Sequence, residues 1–321
     1  MMTEDICYEV GALLYSPALN EDLAASVINE RFGGQYSLAL CLEDTVADGC
    51  VERAEKQLVR TVTEIMSASD EKDFYLPKIF IRVREPEQLL RVHASLGDAK
   101  KIITGYIFPK YTVSCMDEYN RDLMTINTEP GHRFYMMPTI ESRDVADPAT
   151  RSGTLAAIKA SLDKMKEYVL NVRVGGNDLC NEFSVRRHYD ETIYDILPIA
   201  GVLADILTVF SRDYVVSGPV WEFYSSDNNE WRDGLKKETA RDRLNGFVGK
   251  TVIHPKQIEV VNEAFRVSKK DYGDALAILG WDDTDGLRVG GSVGGERMNE
   301  VKTHMNWAEK TVKLARIYGI S

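Results

Sequence analysis

Two acidic residues stand where strand-like segments end, and together they could hold a divalent cation. The apolar run RFYMMPTIE closes at Glu141, and the run YVLNVRVGGND closes at Asp178. Mg²⁺ prefers oxygen ligands, and it typically binds one or two protein carboxylates while keeping positions for water and substrate. If the two strands are neighbours, Glu141 and Asp178 are expected to form a magnesium site that serves a small carboxylate-bearing substrate.

Each acid also has a simpler explanation. Glu141 could be an acid in the first turn of a helix, and Asp178 could cap the turn that follows it. Gly175 and Gly176 come just before Asp178. Because glycine lets the backbone approach a ligand closely, the pair favours a binding site, and we predict that both glycines contact substrate.

Other strand ends supply charges that would surround such a site. SLALCLED ends in Glu43 and Asp44, KIFIR ends in Arg82, and GYIFPK ends in Lys110. Arg82 has the register of an inward residue, and a buried guanidinium needs an anionic partner. That partner is either one of the two acids or a substrate carboxylate held by two hydrogen bonds. Lys110 could form a Schiff base, but beside metal-type acids an ion pair is the favoured interpretation.

The elements that must position these residues alternate along the chain. Eight apolar strand candidates end near Ser16, Glu43, Val83, Lys110, Glu141, Gly176, Pro219 and Pro255, with helical periodicity between them. Continuous apolar runs between helices predict an α/β fold with a parallel sheet covered on both faces. Eight such units in about 265 residues match a (β/α)₈ TIM barrel, whose active sites lie at the carboxyl ends of the strands. A doubly wound sheet is the alternative, but the first strand–helix connection lacks its G-x-G-x-x-G fingerprint.

The last fifty residues differ in composition from the rest. We predict a TIM-barrel catalytic domain over residues 1–268 and a C-terminal helical and loop extension over residues 269–321. The extension holds the stretch RVGGSVGGERMNE and then an amphipathic helix that ends at Tyr318. Its glycines predict a mobile loop rather than a phosphate cradle, because no clear strand precedes them and the P-loop lysine is absent.

Composition excludes several classes of partner. The net charge is −11 and the sequence pI is about 5.1, which speaks against nucleic acid and anionic membranes as partners. The five cysteines show no metal-ligand spacing and favour reduced thiols in the cytosol. The segment MMTEDICYEV lacks the pattern of a signal peptide, and no apolar run approaches the roughly 18 residues of a membrane span. We therefore predict a cytoplasmic protein.

Several segments resemble the citrate lyase β-subunit-like proteins of the HpcH/HpaI aldolase superfamily. GFVGKTVIHPKQIEVVNEAF resembles that family's signature near the end of the barrel, and LCLEDTVADGCVERA resembles its second-strand motif. KIFIRV and YIFPK resemble its third and fourth strands, and PTIES and VGGNDL resemble its two metal-binding segments. GERMNEVKTHMNWAEKTV resembles its C-terminal segment. The resemblance runs in order through most of the chain.

The resemblance implies a homo-oligomeric lyase, often a trimer, with Mg²⁺ held by Glu141 and Asp178. The metal would then act as a Lewis acid on the enolate formed when a carbon–carbon bond breaks in a 2-oxo acid or acyl-CoA substrate. Arg82 matches the family arginine that holds the substrate carboxylate or carbonyl.

The resemblance also suggests which residues move protons. Glu43 and Asp44 match second-strand acids near the site. In several relatives the C-terminal segment covers a neighbouring subunit's site and supplies an Asp as acid or base, so the resemblance implies that residues 269–321 form such a lid. Glu300 aligns with that Asp. The predicted catalytic residues are therefore Arg82, Glu43, Asp44 and Glu300.

Departures from the family pattern keep other functions open. Cys41 replaces the first acid of the second-strand motif, and Glu300 replaces the usual Asp. The long segments 184–195 and 221–232 are typical of a divergent branch, of the kind found in stress or tellurium-resistance gene clusters, and no clear coenzyme A site is visible. One alternative is a non-catalytic barrel that binds metal and a small carboxylate, since function depends on the site rather than the fold. Another is an enzyme that uses the same site for phosphorus–carbon or hydrolytic chemistry on a 2-oxo acid.

Overall fold

A computed structural model describes residues 5–282, 284 and 286–321, so the first four residues of the N-terminal segment lie outside it. Eight strands form its sheet: β1 (Ala12–Pro17), β2 (Tyr36–Cys41), β3 (Lys78–Arg82), β4 (Ile103–Phe108), β5 (Tyr135–Ile140), β6 (Val172–Val174), β7 (Val216–Ser217) and β8 (Lys250–Val252). They lie in the order β7-β6-β5-β4-β3-β2-β1-β8, and all the pairings are parallel.

The sheet curls until its two end strands meet. The N–H of Gly218 donates to the carbonyl of Gly249 at 3.0 Å, and Gly218 forms a parallel bridge with Lys250. These contacts close the ring between β7 and β8. The predicted (β/α)₈ TIM barrel is confirmed, and the doubly wound alternative is excluded because such a sheet keeps two open edges.

Ten helices in the described part of the barrel region cover the outside of the sheet. They are α1 (Leu23–Ile28), α2 (Val51–Glu71), α3 (Pro86–Ser95), α4 (Met116–Ile126), α5 (Arg143–Ala146), α6 (Arg151–Lys164), α7 (Gly176–Glu182), α8 (Leu197–Phe210), α9 (Glu230–Asn245) and α10 (Lys256–Phe265). In α2 the buried residues Ala54, Leu58, Val62 and Ile65 follow a spacing of three and four, which places them on one face against the sheet.

The interior of the barrel changes from apolar to polar along its axis. An apolar cluster inside it contains Leu13, Phe80 and Met137. Side chains alternate along a strand, so the residue two positions later points to the same side, one layer further along. These later residues include Tyr15 and Arg82, and both line a cavity. The apolar layer therefore closes the barrel beneath a polar layer at the carboxyl ends of the strands.

The two long segments, 184–195 and 221–232, are held by contacts of a buried charge cluster. Arg187 Nε lies 3.1 Å from Glu238 Oε2, and the Arg187 guanidinium lies 5.2 Å from the Trp221 ring centroid. Lys250 Nζ lies 2.9 Å from Glu238 Oε1 and 2.7 Å from Asp242 Oδ2. The four charged side chains are fully buried and balance each other, as buried ions must. This part of the chain therefore has a structural role.

The C-terminal extension contains α11 (Lys269–Leu279), β9 (Val289–Gly291), β10 (Met298–Glu300) and α12 (Val301–Tyr318). The glycine-rich stretch is not a loop throughout, because β9 and β10 pair as an antiparallel hairpin in which Gly290 and Gly291 belong to β9 and Gly294 and Gly295 to the turn. Gly295, with φ +68°, adopts a left-handed conformation that favours glycine. Arg297 then fixes the hairpin by pairing with Asp274 at 2.8 Å and with Asp271 at 2.7 Å.

The last helix returns to the barrel. The hydroxyl of Tyr318 donates to the carbonyl of Tyr8 at 2.9 Å, and Lys310 Nζ donates to the carbonyl of Gly246 at 2.8 Å. Because α12 packs on the barrel, the boundary between residues 268 and 269 stays a prediction. Within the described ranges no helix is long and apolar enough to cross a membrane.

Candidate active site

A cavity of about 200 Å³ opens at the carboxyl ends of the strands. Six of the residues predicted from the sequence line it: Asp44, Arg82, Glu141, Gly175, Gly176 and Asp178. They come from the ends of β2, β3, β5 and β6, as expected for a barrel whose active site is formed by its strand–helix connections. Four charged residues that the sequence places at strand ends therefore lie around one cavity.

Arg82 is the centre of a carboxylate cluster. Its Nη2 atom lies 2.7 Å from Glu43 Oε2, 3.3 Å from Asp44 Oδ2 and 3.4 Å from Glu141 Oε1. Only 12% of the Arg82 side chain is exposed. Burial acts to lower the pKa of Arg82, but Tyr15, Glu141 and Glu43 outweigh burial and raise the pKa. The guanidinium thus stays charged, and its buried Nε has no hydrogen-bond partner among the described residues.

Glu141 follows β5 directly and is almost completely buried, with 4% exposed. Its Oε1 accepts the backbone N–H of Lys110 at 2.8 Å. A Cβ added at Gly175 would lie 1.8 Å from Glu141 Oε2, so only glycine leaves room for the carboxylate. Burial raises the pKa of Glu141 to about 7; Arg82 opposes this rise, and Asp178 adds to it.

Lys110 connects two of the acids from the end of β4. Its Nζ donates to Glu43 Oε1 at 2.7 Å, which confirms the ion pair favoured over a Schiff base. Burial acts to lower the pKa of Lys110, but the hydrogen bond and charge of Glu43 outweigh it, and the pKa is raised. Its φ of +46° is a left-handed conformation that non-glycine residues adopt at a cost of about 1–2 kcal/mol. This conformation accompanies the contacts of Lys110 with both acids.

Glu43 and Asp44 are adjacent in sequence but differ in environment. Burial raises the pKa of Glu43, although Arg82 opposes the rise. Burial also acts to raise the pKa of Asp44, but the hydrogen bond with Glu43 and the charges of Arg82 and Lys110 outweigh it and lower the pKa. Asp44 is half-exposed and lines the cavity, whereas Glu43 lies behind it against Arg82. Two neighbouring acids whose pKa values are shifted in opposite directions are typical of sites that transfer protons.

Asp178 lies in the first turn of α7, half-buried on the cavity wall. As an acid in the first turn of α7 it also suits the positive end of the helix dipole, so its position fits the simpler explanation as well as a binding role. Asp178 and Glu141 are close enough to influence each other's charge, because Asp178 raises the pKa of Glu141.

The donors around the cavity fit a hard cation with few protein ligands. Glu141 and Asp178 offer only oxygen atoms. Within the described ranges no group of three or more His, Cys, Asp or Glu side chains is arranged to hold a metal ion. Two carboxylates completed by water and substrate oxygens are the donor set that Mg²⁺ commonly takes in enzymes.

Polar residues that line the same cavity but were not predicted from the sequence include Tyr15, Thr139, Arg173 and Thr251. Tyr15 and Thr139 follow inward apolar residues by two positions, so strand alternation was the signal that identifies them. Arg173 is a charged residue within the apolar run VLNVRV, which is a signal in its own right.

Glu300 is not brought to the cavity within one chain. It ends β10, where its Oε2 accepts the hydroxyl of Thr303 at 2.6 Å and its N–H donates to His304 Nδ1 at 2.9 Å. It is absent from the cavity lining. Its predicted catalytic role therefore requires a second subunit.

The raised pKa of Glu141 has a measurable consequence for stability in the absence of metal. The folded protein holds a proton between pH 4.5 and about 7 that the unfolded chain has lost, so this group destabilises the fold increasingly as pH rises through that window. Relative to Glu141→Gln, the wild-type free energy of unfolding is expected to fall by about 2–3 kcal/mol between pH 5 and pH 8. Urea unfolding of both proteins in a chelator measures this difference, and a difference that does not vary with pH would contradict the assignment.

Comparisons with known proteins agree with the fold and extend it. A family model described as a C–C bond lyase of the TIM-barrel fold matches residues 4–320. The (3S)-malyl-CoA thioesterase of Cereibacter sphaeroides (strain ATCC 17025 / ATH 2.4.3) is 30% identical over 98 residues, which cover 30% of this chain and 31% of that protein. The alignment thus spans about a third of that relative.

Solved structures resemble the whole chain. The CitE protein of Mycobacterium tuberculosis, in complex with magnesium, acetoacetate and coenzyme A, has a TM-score of 0.65 at 18% identity, covering 97% of this chain and 99% of that one. A citrate lyase from Burkholderia xenovorans LB400 has a TM-score of 0.70 at 12% identity, covering 97% and 93%. The M. tuberculosis citrate lyase β subunit complexed with oxaloacetate and magnesium has a TM-score of 0.54 at 19% identity, covering 82% and 99%. At these identities the likeness is one of fold.

Proposed function

This chain belongs to the C–C bond lyase family of the TIM-barrel fold, and we propose that it is a Mg²⁺-dependent lyase acting on a small 2-oxo acid or a related carboxylate. The observation that carries the proposal is the shared cavity of Glu141, Asp178 and Arg82 at the carboxyl ends of the strands. Two acids and one buried guanidinium supply what such a reaction needs, a cation site beside a carboxylate site.

Glu141 and Asp178 are proposed to hold the metal. When bound, Mg²⁺ supplies a Lewis acid that stabilises negative charge on an enolate oxygen as a carbon–carbon bond breaks. Lys110 holds Glu141 in place through its backbone N–H, and Gly175 leaves the second carboxylate oxygen unobstructed. The relatives crystallised with magnesium and oxaloacetate or acetoacetate support this choice of metal and of substrate class.

Arg82 is proposed to bind the substrate carboxylate or carbonyl. Its guanidinium is oriented by Glu43, Asp44 and Glu141, and its Nε is free to donate. A planar guanidinium matches a carboxylate in geometry, so it can hold the acid in a single orientation. Holding the reacting groups in one geometry is itself a large contribution to catalysis.

Two acids are proposed to transfer protons. Asp44 lines the cavity with a lowered pKa, so it is ionised at neutral pH and can accept a proton from a substrate hydroxyl. Glu300 of a neighbouring subunit is proposed to exchange a second proton with the substrate. Glu43 is proposed to hold the side chains of Arg82 and Lys110 in position at the site, because it pairs with both.

The size of the cavity favours a small acid over a whole acyl-CoA. Its volume of about 200 Å³ lies below the roughly 300–1,000 Å³ typical of pockets for drug-sized ligands. An acyl-CoA substrate would place only its acyl group in this cavity, with the nucleotide outside.

We also propose a homo-oligomeric protein, with a trimer favoured, located in the cytoplasm and belonging to a divergent branch of the kind found in tellurium-resistance clusters. The hairpin of the extension carries exposed apolar side chains at Leu287, Val293 and Met298, which suit contact with another subunit. In this proposal residues 269–321 form the lid that carries Glu300. Free cysteines and the net charge of −11 support the location and the absence of nucleic-acid and membrane partners.

A panel of 4-hydroxy-2-oxo acids and malyl-type CoA thioesters tests the proposed reaction. We expect Mg²⁺-dependent release of a 2-oxo acid or of glyoxylate, abolished by a chelator and by Asp178→Asn. Metal-dependent binding without cleavage of any member of the panel would favour the non-catalytic alternative instead.

A further inference from the structure

A second arginine lines the cavity, and its charge is unbalanced. Arg173 on β6 is 1% exposed, and its guanidinium has no acidic partner in the part of the chain that the structure describes. Its Nη1 donates to Asn171 Oδ1 at 3.3 Å and its Nη2 donates to Thr251 Oγ1 at 2.6 Å. The buried Nε donates to no described residue.

The other buried cations of this barrel have acidic partners. Arg82 is surrounded by three carboxylates, and Arg187 and Lys250 are paired with Glu238. A buried charge without a counter-ion is strongly unfavourable, so proteins rarely keep one without a function. Burial lowers the pKa of Arg173; Tyr15 opposes this fall, and the nearby charge of Arg82 adds to it.

Polar groups beside Arg173 complete a small site. Thr139 lies directly opposite Arg173 in the ladder between β5 and β6, and its buried hydroxyl has no partner within the described residues. Tyr15 lies close enough to Arg173 to act on its charge, because it raises the pKa of the guanidinium. All three residues line the cavity that contains Arg82 and Glu141. Unpaired buried donors of this kind are expected where a ligand supplies the missing acceptor.

We infer that Arg173, with Thr139 and Tyr15, forms a second anion subsite that binds a second carboxylate of the substrate. The inference rests on the proposed function, in which Arg82 and the metal site hold the first carboxylate. It narrows the substrate class to short dicarboxylic acids that carry a 2-oxo or 2-hydroxy group. Arg173 is a specificity residue in this view, since it contacts the end of the substrate that does not react.

The test compares two stable acids that differ by one carboxylate. Isothermal titration at saturating Mg²⁺ measures the affinities of (S)-malate and (S)-lactate for the wild type and for Arg173→Met. A hydrogen-bonded charge contributes a factor of about 10–100 in affinity, so we expect wild type to bind malate at least tenfold more tightly. In Arg173→Met the two affinities should become nearly equal while the affinity for Mg²⁺ alone is unchanged.

The thermal stability of the ligand-free protein separates this role from a structural one. An apolar side chain in place of an unpaired buried charge should leave the melting temperature equal or higher, as often found for residues kept for function. A large fall in melting temperature would instead assign Arg173 to the fold. Thr139→Val has nearly the same shape as wild type and provides a second variant that is expected to fold, and it should also reduce the preference for malate.

Three outcomes would overturn the inference. The wild type could bind the two acids with equal affinity, or both variants could keep the wild-type preference for malate. Alternatively, Arg173→Met could lose affinity for malate and lactate by the same factor. The last result would mean that Arg82 and Arg173 share one carboxylate. Failure of the proposed function looks different, because the wild type would then bind no Mg²⁺ at the cavity at all.

Discussion

Substitution of Glu141 or Asp178 by alanine is expected to abolish Mg²⁺ binding and to lower turnover by about 10³-fold or more. Each variant removes one of the two carboxylates that line the cavity. A metal acting as Lewis acid supplies several kcal/mol of transition-state stabilisation, and each 1.36 kcal/mol corresponds to a factor of ten in rate. Isothermal titration with Mg²⁺ and a cleavage assay measure the two losses separately.

The matched control is an acid that is charged but remote from the cavity. Glu52 is exposed on α2, where it pairs with Lys56 at 2.6 Å. Glu52→Gln should keep wild-type Mg²⁺ affinity and turnover. Undiminished Mg²⁺ affinity in either Glu141→Ala or Asp178→Ala would show that the cation is held elsewhere.

Replacement of Arg82 by methionine is expected to have the second largest effect, because it leaves three acids without their shared cation. Glu43, Asp44 and Glu141 all lie within 3.4 Å of Nη2. Removal of one partner from a buried ion pair typically costs about 3–5 kcal/mol, so the free energy of unfolding at pH 8 should fall by about that amount. The substrate would also lose the guanidinium that holds its carboxylate, so turnover should fall as well.

The pH dependence of this loss identifies its cause. Arg82 opposes the rise in pKa of both Glu43 and Glu141, so without it these carboxyls take up protons at higher pH. The destabilisation by Arg82→Met should therefore shrink as pH falls from 8 to 5, because neutral carboxyls no longer need a cation. Urea unfolding across this range measures it, and a penalty that is constant with pH would mean that packing rather than charge is lost.

Arg82→Lys provides the matched variant for the substrate clamp. Lysine keeps the positive charge but loses the planar fork, so the fold should be largely retained while the affinity for a carboxylate substrate falls. Equal substrate affinity in wild type and Arg82→Lys would argue against a role for Arg82 in orienting the acid.

The strand ends could be predicted from the sequence because the signal is local. The run that ends at Ile140 is largely apolar and β-prone, and Glu141 follows it directly as a charged residue. Placing eight such runs in order around a ring then put Glu141 and Asp178 on adjacent strands. The same reasoning placed Arg82 and Asp44 at the same rim.

The partners of these residues could not be predicted in the same way, because they depend on contacts far apart in sequence. The Arg82–Glu141 pair joins residues 59 apart, and Lys110 reaches Glu43 across 67 positions. The sequence offered Glu43, Asp44 or a substrate carboxylate as the partner of Arg82, whereas the structure places both of these acids and also Glu141 beside it. Only the register between strands determines which acid lies within reach.

Two further features depended on context that local patterns do not carry. The glycine-rich stretch was predicted to be a loop because its strands are only three residues long, and what fixes them is Arg297 paired with acids of α11. The segment 184–195 is held by Arg187, whose partner Glu238 lies on α9. In both cases a charge pair between distant segments stabilises structure that the local composition does not favour.

The site also explains why a family lyase can tolerate Cys41 in place of an acid. Arg82 already has three carboxylate partners in this chain, so an acid at position 41 would add a fourth negative charge beside the two cations Arg82 and Lys110. Cys41 is fully buried and lies opposite Arg82 in the ladder between β2 and β3.

The most direct test of the central claim is a crystal structure of the protein soaked with Mg²⁺ and pyruvate. We expect an ion bound by Glu141 and Asp178, with the pyruvate carboxylate at Arg82 inside the cavity. An ion bound elsewhere, or pyruvate bound outside this cavity, would contradict it.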